Sequence, residues 1–383
     1  MSVDINELLK KAVQMGASDL HVKVGSVPII RLDGELTTLS GEKRLTLEDT
    51  TNIASTIMNE AQKEAFKKKN EIDISYSIPG FGRFRCNTFV QRGTIGIVFR
   101  VIPTKIPDIE QLYLPPVLKK IALEPRGLIL VTGTTGSGKT TTLASMIEFI
   151  NLNRTNNIIT IEDPIEFLFR DKSSIISQRE IGSDTESFSK ALRSALRQDP
   201  DVILVGEMRD FETIQTALVA AETGHLVLST LHTVDATETV NRIIAVFPPY
   251  QHKQIRMQLA SILRAIISMR LVPRADGNGR VPAVEVLIGT STIKDCVEDP
   301  DKTKLIPDFI AQGYTQYGMQ TFDQSLFDLY KNGLITYEDA LQRATKPDDF
   351  VLKIKGIRST SEWQEGIISS EKKEEPKIDR FGD

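Results

Sequence analysis

The chain is short of cysteine. Among 383 residues only Cys86 and Cys296 carry a thiol, too few for a disulfide framework or a cysteine-based zinc site. Reduced thiols in a cytosolic protein are the expectation. No apolar run reaches the roughly 18 residues of a membrane-spanning helix. The opening Met-Ser-Val-Asp-Ile-Asn-Glu has no basic segment leading into an apolar one, so no signal peptide is expected. Positive charge is not in excess either. Lys+Arg 47 against Asp+Glu 51 leaves a formal net charge of −4, which argues against nucleic acid as the main partner. What remains is a soluble, cytoplasmic chain of two or three domains, with membrane association only indirect.

Helices and antiparallel strands mix over the first stretch. Leu8, Leu9, Ala12 and Val13 give residues 4–16 one apolar helical face, and Leu20–Gly25 alternates as a strand does. Residues 29–36 read as two strands around an Asp-Gly turn. Residues 46–67 read as helical, followed by strands at 72–78, 82–91 and 94–102. A small α+β domain over 1–102 is expected. Pro103, Pro107, Pro115 and Pro116 mark 103–116 as a linker. From 117 to 290 strands alternate with helices, the signature of a parallel sheet. Within it, Ile255, Leu259, Ile262, Leu263, Ile266 and Ile267 predict one amphipathic helix over 252–270. Residues 291–357 read as a helical portion. The rest, 358–383, reads as a charged, disordered tail, nine of the last thirteen residues being charged.

One motif carries chemistry outright. Gly133-Thr134-Thr135-Gly136-Ser137-Gly138-Lys139-Thr140 matches G-x-x-x-x-G-K-[ST] in full. The apolar run Leu128–Val131 leads in, and Leu143, Met146, Ile147 and Ile150 lead out at helical spacing. Glycines let backbone N–H groups turn toward phosphates, and a helix N-terminus favours anions. Lys139 suits the β- and γ-phosphates, and the Thr140 hydroxyl suits Mg²⁺. Thr141 completes the binding segment. It stands where a dinucleotide fingerprint would need its third glycine.

In open parallel sheets ligands bind beyond the carboxyl ends of the strands. Ile158–Ile161 is followed by Glu162-Asp163-Pro164-Ile165-Glu166, and Val202–Val205 by Gly206-Glu207. Metal contact (Glu207, Asp163) and orientation of an attacking water (Glu166, Glu207, Glu162) are the expected roles. A usual Walker B strand ends in Asp; here Gly206 takes that position. Histidine numbers four in all, and two of them, His225 and His232, bracket one apolar strand. Each reads either as a γ-phosphate sensor or as a structural histidine. Arg83, Arg85, Arg92 and Arg100 crowd the last N-terminal strands with no acid between 83 and 100. They read either as a solvated basic face or as arginine fingers for a neighbouring subunit's nucleotide.

These motifs, with Ile161–Glu166, Gly206-Glu-Met-Arg-Asp210, Thr223-Gly-His225 and Leu231-His-Thr233, resemble the type IV pilus retraction ATPases (PilT/PilU-like) of the secretion ATPase superfamily. The resemblance runs from Gly16 to Leu341. It implies an α/β fold: a RecA-like P-loop ATPase core, a PAS-like N-terminal domain and a helical C-terminal portion. It implies a homohexamer that uses ATP and Mg²⁺ at the inner-membrane base of a pilus machine. A platform protein and a paralogous motor ATPase are the implied partners. Lys139 and Thr140 correspond to Walker A, and Glu162, Asp163 and Glu166 to an acidic box. Glu207 corresponds to Walker B, and His225 and His232 to a histidine box. The family segment Ala-Ile-Arg-Asn-Leu-Ile-Arg-Glu, tied to retraction, is replaced by Thr292-Ile-Lys-Asp-Cys-Val-Glu-Asp299. That departure counts against the standard retraction role, and Gly318-Met-Gln-Thr-Phe-Asp-Gln324 with the longer tail leans toward the accessory paralogue. Rival readings are a pilus assembly or type II secretion ATPase, and a non-hydrolysing nucleotide-switched regulator. The former usually has a longer N-terminal region and a four-cysteine zinc site.

Overall fold

The computed structural model describes residues 3–32 and 34–355. The tail 358–383, and the end of the helical portion from 356, lie outside the described residues.

Asp4 caps α1 (Ile5–Gln14) through the Asn6 N–H. β1 (Asp19–Lys23), β2 (Ile29–Leu32) and β3 (Glu35–Thr38) follow, then α2 (Leu47–Ile57) and α3 (Glu60–Lys69), then β4 (Glu71–Ile78), β5 (Gly82–Gln91) and β6 (Thr94–Val101). The expected helix over 46–67 is two helices. Met58 is extended, and Thr46 and Asn59 each start a helix with its own capping box. The six strands pair antiparallel in the order β3-β2-β1-β6-β5-β4. Leu9, Leu20, Ile30, Ile53, Phe84, Ile97 and Phe99 fill the core beneath them.

No helix or strand forms over 103–116, although Ile109 and Leu114 are buried. Then come α4 (Val117–Ala122), β7 (Gly127–Thr132), α5 (Lys139–Asn153), β8 (Asn157–Glu162), β9 (Ile175–Glu180), α6 (Phe188–Ala195), β10 (Val202–Val205), α7 (Phe211–Glu222) and β11 (Leu226–Leu231). α8 (Ala236–Ala245), α9 (His252–Ile262), β12 (Leu263–Pro273), β13 (Arg280–Ile288) and α10 (Ser291–Glu298) follow, with short helices continuing to Ile354. The long helix expected over 252–270 is corrected: it ends at Ile262, and the apolar run after it is a strand. β12 is buried along most of its length between two partners, so its sequence is apolar on both faces, and periodicity cannot tell such a run from a buried helix.

The chain divides into two compact units. The first comprises Met1–Asp108, Ala122–Gly127 and Thr140–Ser229. Besides the N-terminal sheet it holds β9, β8, β10 and β11 as parallel neighbours. Val205 pairs with Ile161 in register, which sets Glu162 and Gly206 side by side at the strands' carboxyl ends. In the second unit β12 runs parallel to β7 and antiparallel to β13. The C-terminal helices pack there through Phe322, Leu326, Ile335 and Phe350.

Candidate active site

β7 is buried at every residue and delivers the chain into the glycine loop. Gly133, Gly136 and Gly138 all have positive φ, at 142°, 76° and 96°. At Gly133 the close approach is decisive. A Cβ there would lie 2.5 Å from Ser137 Oγ and 2.6 Å from the Met269 carbonyl oxygen. β12 thus packs directly against the loop. Lys139 opens α5 and is buried; its Nζ donates to the carbonyls of Gly133 and Thr134, both at 2.9 Å. Ser137 Oγ is buried with no hydrogen-bond partner. A glycine cradle that a Cβ would fill, a lysine folded over it and an orphaned hydroxyl fit a polyphosphate. Thr134, Thr135 and Gly136 are exposed at the loop's rim, and Thr140 and Thr141 are half-buried in the first turn of α5.

Below the loop, Thr132 Oγ1 donates to Ser268 Oγ at 3.1 Å. Ser268 lies across from Glu285 in the β12–β13 register and donates onward to its carboxylate. Glu285 is 6% exposed and accepts the Ala236 N–H at the start of α8. Burial, helped by nearby Asp235, pushes its carboxyl up to about 7, against the opposing Ala236 and Ser268 hydrogen bonds and Arg270.

The acids lie in the first unit. Glu162 ends β8 and is buried. It accepts Thr160 Oγ1 at 2.6 Å and Gln178 Nε2 at 3.2 Å. Burial raises its pKa, opposed by those two bonds and by the Glu166 N–H. Glu162 therefore shapes the segment that presents Glu166, which is exposed together with Asp163. Glu207, just beyond β10, pairs with Arg209 Nε at 2.7 Å. Gly206 stands where a Walker B aspartate is usual; a Cβ there would come within 3.2 Å of the Ile161 carbonyl oxygen, a tight approach that a small shift of that strand would relieve.

The two histidines stand at opposite ends of β11, roughly 20 Å apart along an extended strand. His232 follows the carboxyl end and is exposed. His225 precedes the amino end. Its Nδ1 lies 2.9 Å from the Ala220 carbonyl, an acceptor only, so Nδ1 carries the proton. The arginines divide too. Arg85 and Arg100 are cross-strand partners, both exposed, paired with Asp73 and Asp19. Arg92 sits on the β5–β6 turn. Arg83 is half-buried and pairs with Glu180 of β9 at 3.1 Å. Glu180 and Glu285 escape a sequence reading because partners such as Ser75, Arg83 and Ala236 lie far off in the chain; Gln178, bonded to Glu162 and the Phe167 carbonyl, belongs to no motif. The one signal was a lone carboxylate inside the apolar run 281–288.

Residues 1–310 match the family described as Type II/IV secretion system protein. The chain is 45% identical over 348 residues to the type IV pilus retractation ATPase PilT of Pseudomonas aeruginosa, covering 91% of this chain and 100% of that protein. It is 43% identical to the type IV pilus ATPase PilU of the same organism, covering 92% of each. Among solved structures, that of the pilus retraction motor PilT with bound ADP is similar at a TM-score of 0.81 and 47% identity, covering 91% of this chain and 99% of that one. The Legionella pneumophila ATPase DotB follows at a TM-score of 0.75 and 29% identity, covering 92% and 96%. The fold is accordingly a RecA-like ATPase core with N- and C-terminal portions, and the chain belongs to the type II/IV secretion system protein family.

Proposed function

We propose that this chain is an Mg²⁺-dependent ATPase that works as a homohexameric motor for type IV pilus retraction. The observation that carries the reading is the glycine loop with Lys139 buried over it. The likeness to a retraction ATPase over 91% of this chain supplies the machine. The loop N–H groups and Lys139 hold the β- and γ-phosphates. Thr140, Glu207 and Asp163 offer the hard oxygen donors that Mg²⁺ prefers; the ion, when bound, neutralises charge developing on the phosphates. Water attacks the γ-phosphorus, the bond to the β,γ-bridging oxygen breaks, and Glu166 takes the water proton. Glu162 orients the Glu166 segment, and His232 senses the γ-phosphate. Arg85, Arg92 and Arg100, exposed on the N-terminal sheet, serve a neighbouring subunit's nucleotide.

Docking on an inner-membrane platform protein gives a cytoplasmic, peripheral location; no described helix is long and apolar enough to cross a membrane. A second reading, an accessory motor beside a paralogue, is favoured by α10. Its buried Ile293, Cys296 and Val297 keep the family's apolar pattern, while Glu298 reverses an arginine on the exposed face. Two experiments test the function. Purified protein should hydrolyse ATP with Mg²⁺ well above a Lys139→Ala control, and equal rates would end the enzyme reading. Deleting the gene should leave excess immobile surface pili; loss of pili would mean assembly instead.

A further inference from the structure

One carboxylate outside these assignments joins the N-terminal sheet to the segment that presents Glu166. Glu180 closes β9 and is 4% exposed. Its Oε2 accepts the Ile165 N–H at 3.1 Å and pairs with Arg83 Nη2 at 3.1 Å. Its Oε1 accepts the hydroxyls of Ser75 and, at 3.4 Å, Ser183. A single buried charge thus holds β4 through Ser75, β5 through Arg83, and the residue immediately before Glu166.

The chemistry explains why glutamate stands there. A carboxylate accepts at about four positions, and these donors come from four separate segments. A buried charge persists only when paired and hydrogen-bonded. Arg83 engages through one nitrogen; its Nε is buried without a partner. A one-nitrogen pair falls short of the two-bond fork that arginine makes with carboxylates. Arg83 is therefore the exchangeable member of the cluster, and the Ile165 N–H the fixed one.

We propose that Glu180 is a positioning residue for hydrolysis, which sets the placement of Glu166 according to whether β5 keeps Arg83 on its carboxylate. The proposal rests on the assignment of Glu166 as the group that activates water. Glu180 acts through the Ile165 backbone. Movement of the N-terminal sheet that withdraws Arg83 leaves the Glu166 segment held by one contact fewer, so the motion and the chemistry are coupled at this point.

The test uses the full-length protein in its assembled form. Steady-state kcat and KM, affinity for a fluorescent ATP analogue, and thermal melting are measured for wild type, Glu180→Gln, Arg83→Met, Arg83→Lys and the double variant Glu180→Gln/Arg83→Met. Displacing a catalytic group costs rate steeply, so Glu180→Gln should lower kcat about tenfold while nucleotide affinity stays within about twofold. Arg83→Met should lower kcat similarly, Arg83→Lys less, and the double variant no further than either single. Unchanged kcat in Glu180→Gln overturns the proposal. So does a loss of affinity matching the loss of rate, or Arg83→Met and Glu180→Gln losses that multiply, as an independent arginine finger would give. Should Glu180→Gln fail to fold, wild-type kcat in Arg83→Met overturns it. Glu166→Gln run in parallel separates the two readings. If it keeps full rate, the Glu166 assignment falls; if it is inactive while Glu180→Gln is unaffected, only the present proposal falls.

Discussion

Glu285 faces Ser268 across the β12–β13 ladder while its carboxylate accepts the Ala236 N–H at 2.9 Å. The Ser268 hydroxyl accepts from Thr132 and so has its own proton free for Glu285. This chain of bonds links the start of α8 to the residue just before Gly133. Such a network is polarised along its length and is costly to leave half satisfied.

Burial pushes the Glu285 carboxyl up to about 7, whereas an unfolded glutamate titrates near ~4.3. Between those values the unfolded chain binds fewer protons than the folded one. Stability must therefore fall as pH rises through this window, by up to about 4 kcal/mol from this group, with the full contribution present only below the unfolded value. Glu285→Gln does not titrate. Melting of wild type and Glu285→Gln at matched concentration from pH 5 to 8 should show the gap moving in the variant's favour as pH rises. A gap independent of pH would refute it.

The glycine loop predicts a ranked pair. Gly136 has open space around a built Cβ, so alanine there meets only the strain of φ 76°, about 1–2 kcal/mol. At Gly133 the same change drives Cβ into Ser137 Oγ and into backbone oxygen of β12. Gly133→Ala should lose measurable nucleotide binding and melt lower, while Gly136→Ala keeps most of its stability. Isothermal titration with ADP and a melting curve decide it; equal effects would refute the packing argument.

Much of this site was legible in the sequence because its pieces are local. Gly133–Thr140 and the acids after β8 and β10 are read from short runs between apolar strands. The antiparallel pairing of β2 with β3 was likewise legible. Legibility ends where a residue's role depends on a distant partner. Glu180 closes an edge strand whose alternation is weak, and its partners Ser75 and Arg83 lie about a hundred residues away. Met58 divides a helical pattern that periodicity carries straight through, since only the Asn59 cap betrays the break. β12 has a helix's apolar content because both its faces are buried.

α10 separates fold from surface. Ile293 is fully buried, so Ile293→Ala should cost about 2–5 kcal/mol. Glu298 is exposed at the helix's last position, where a negative charge opposes the dipole. Glu298→Arg should be neutral or stabilising by about 0.3–1 kcal/mol. If the exposed charge sets the retraction role, a strain whose sole copy carries Glu298→Arg should twitch faster at unchanged protein level. Unchanged twitching would assign that role to another part of the chain.

The placement of the histidines at opposite ends of β11 makes opposite forecasts for them. His225 holds the turn between α7 and β11: its Nδ1–H meets the Ala220 carbonyl, its backbone N–H the same oxygen, and its own carbonyl the Gly127 N–H. His225→Ala removes only the ring's contacts with the Ala220 carbonyl and Thr223 Oγ1, about 1–2 kcal/mol, and should lower the melting temperature with kcat nearly kept. His232 follows the carboxyl end, ahead of a segment pinned to α8 by Thr233–Thr239 and Val234–Glu238 hydrogen bonds. His232→Ala should lower kcat by roughly 10–100-fold, the range of a positioned acid–base or sensing group, a loss larger than any shift in melting accounts for. Assaying both variants for hydrolysis and for melting checks this. If His225→Ala lost rate while keeping its stability, His225 would have to act on nucleotide from across a subunit boundary, since its place in its own chain is at the far end of the strand.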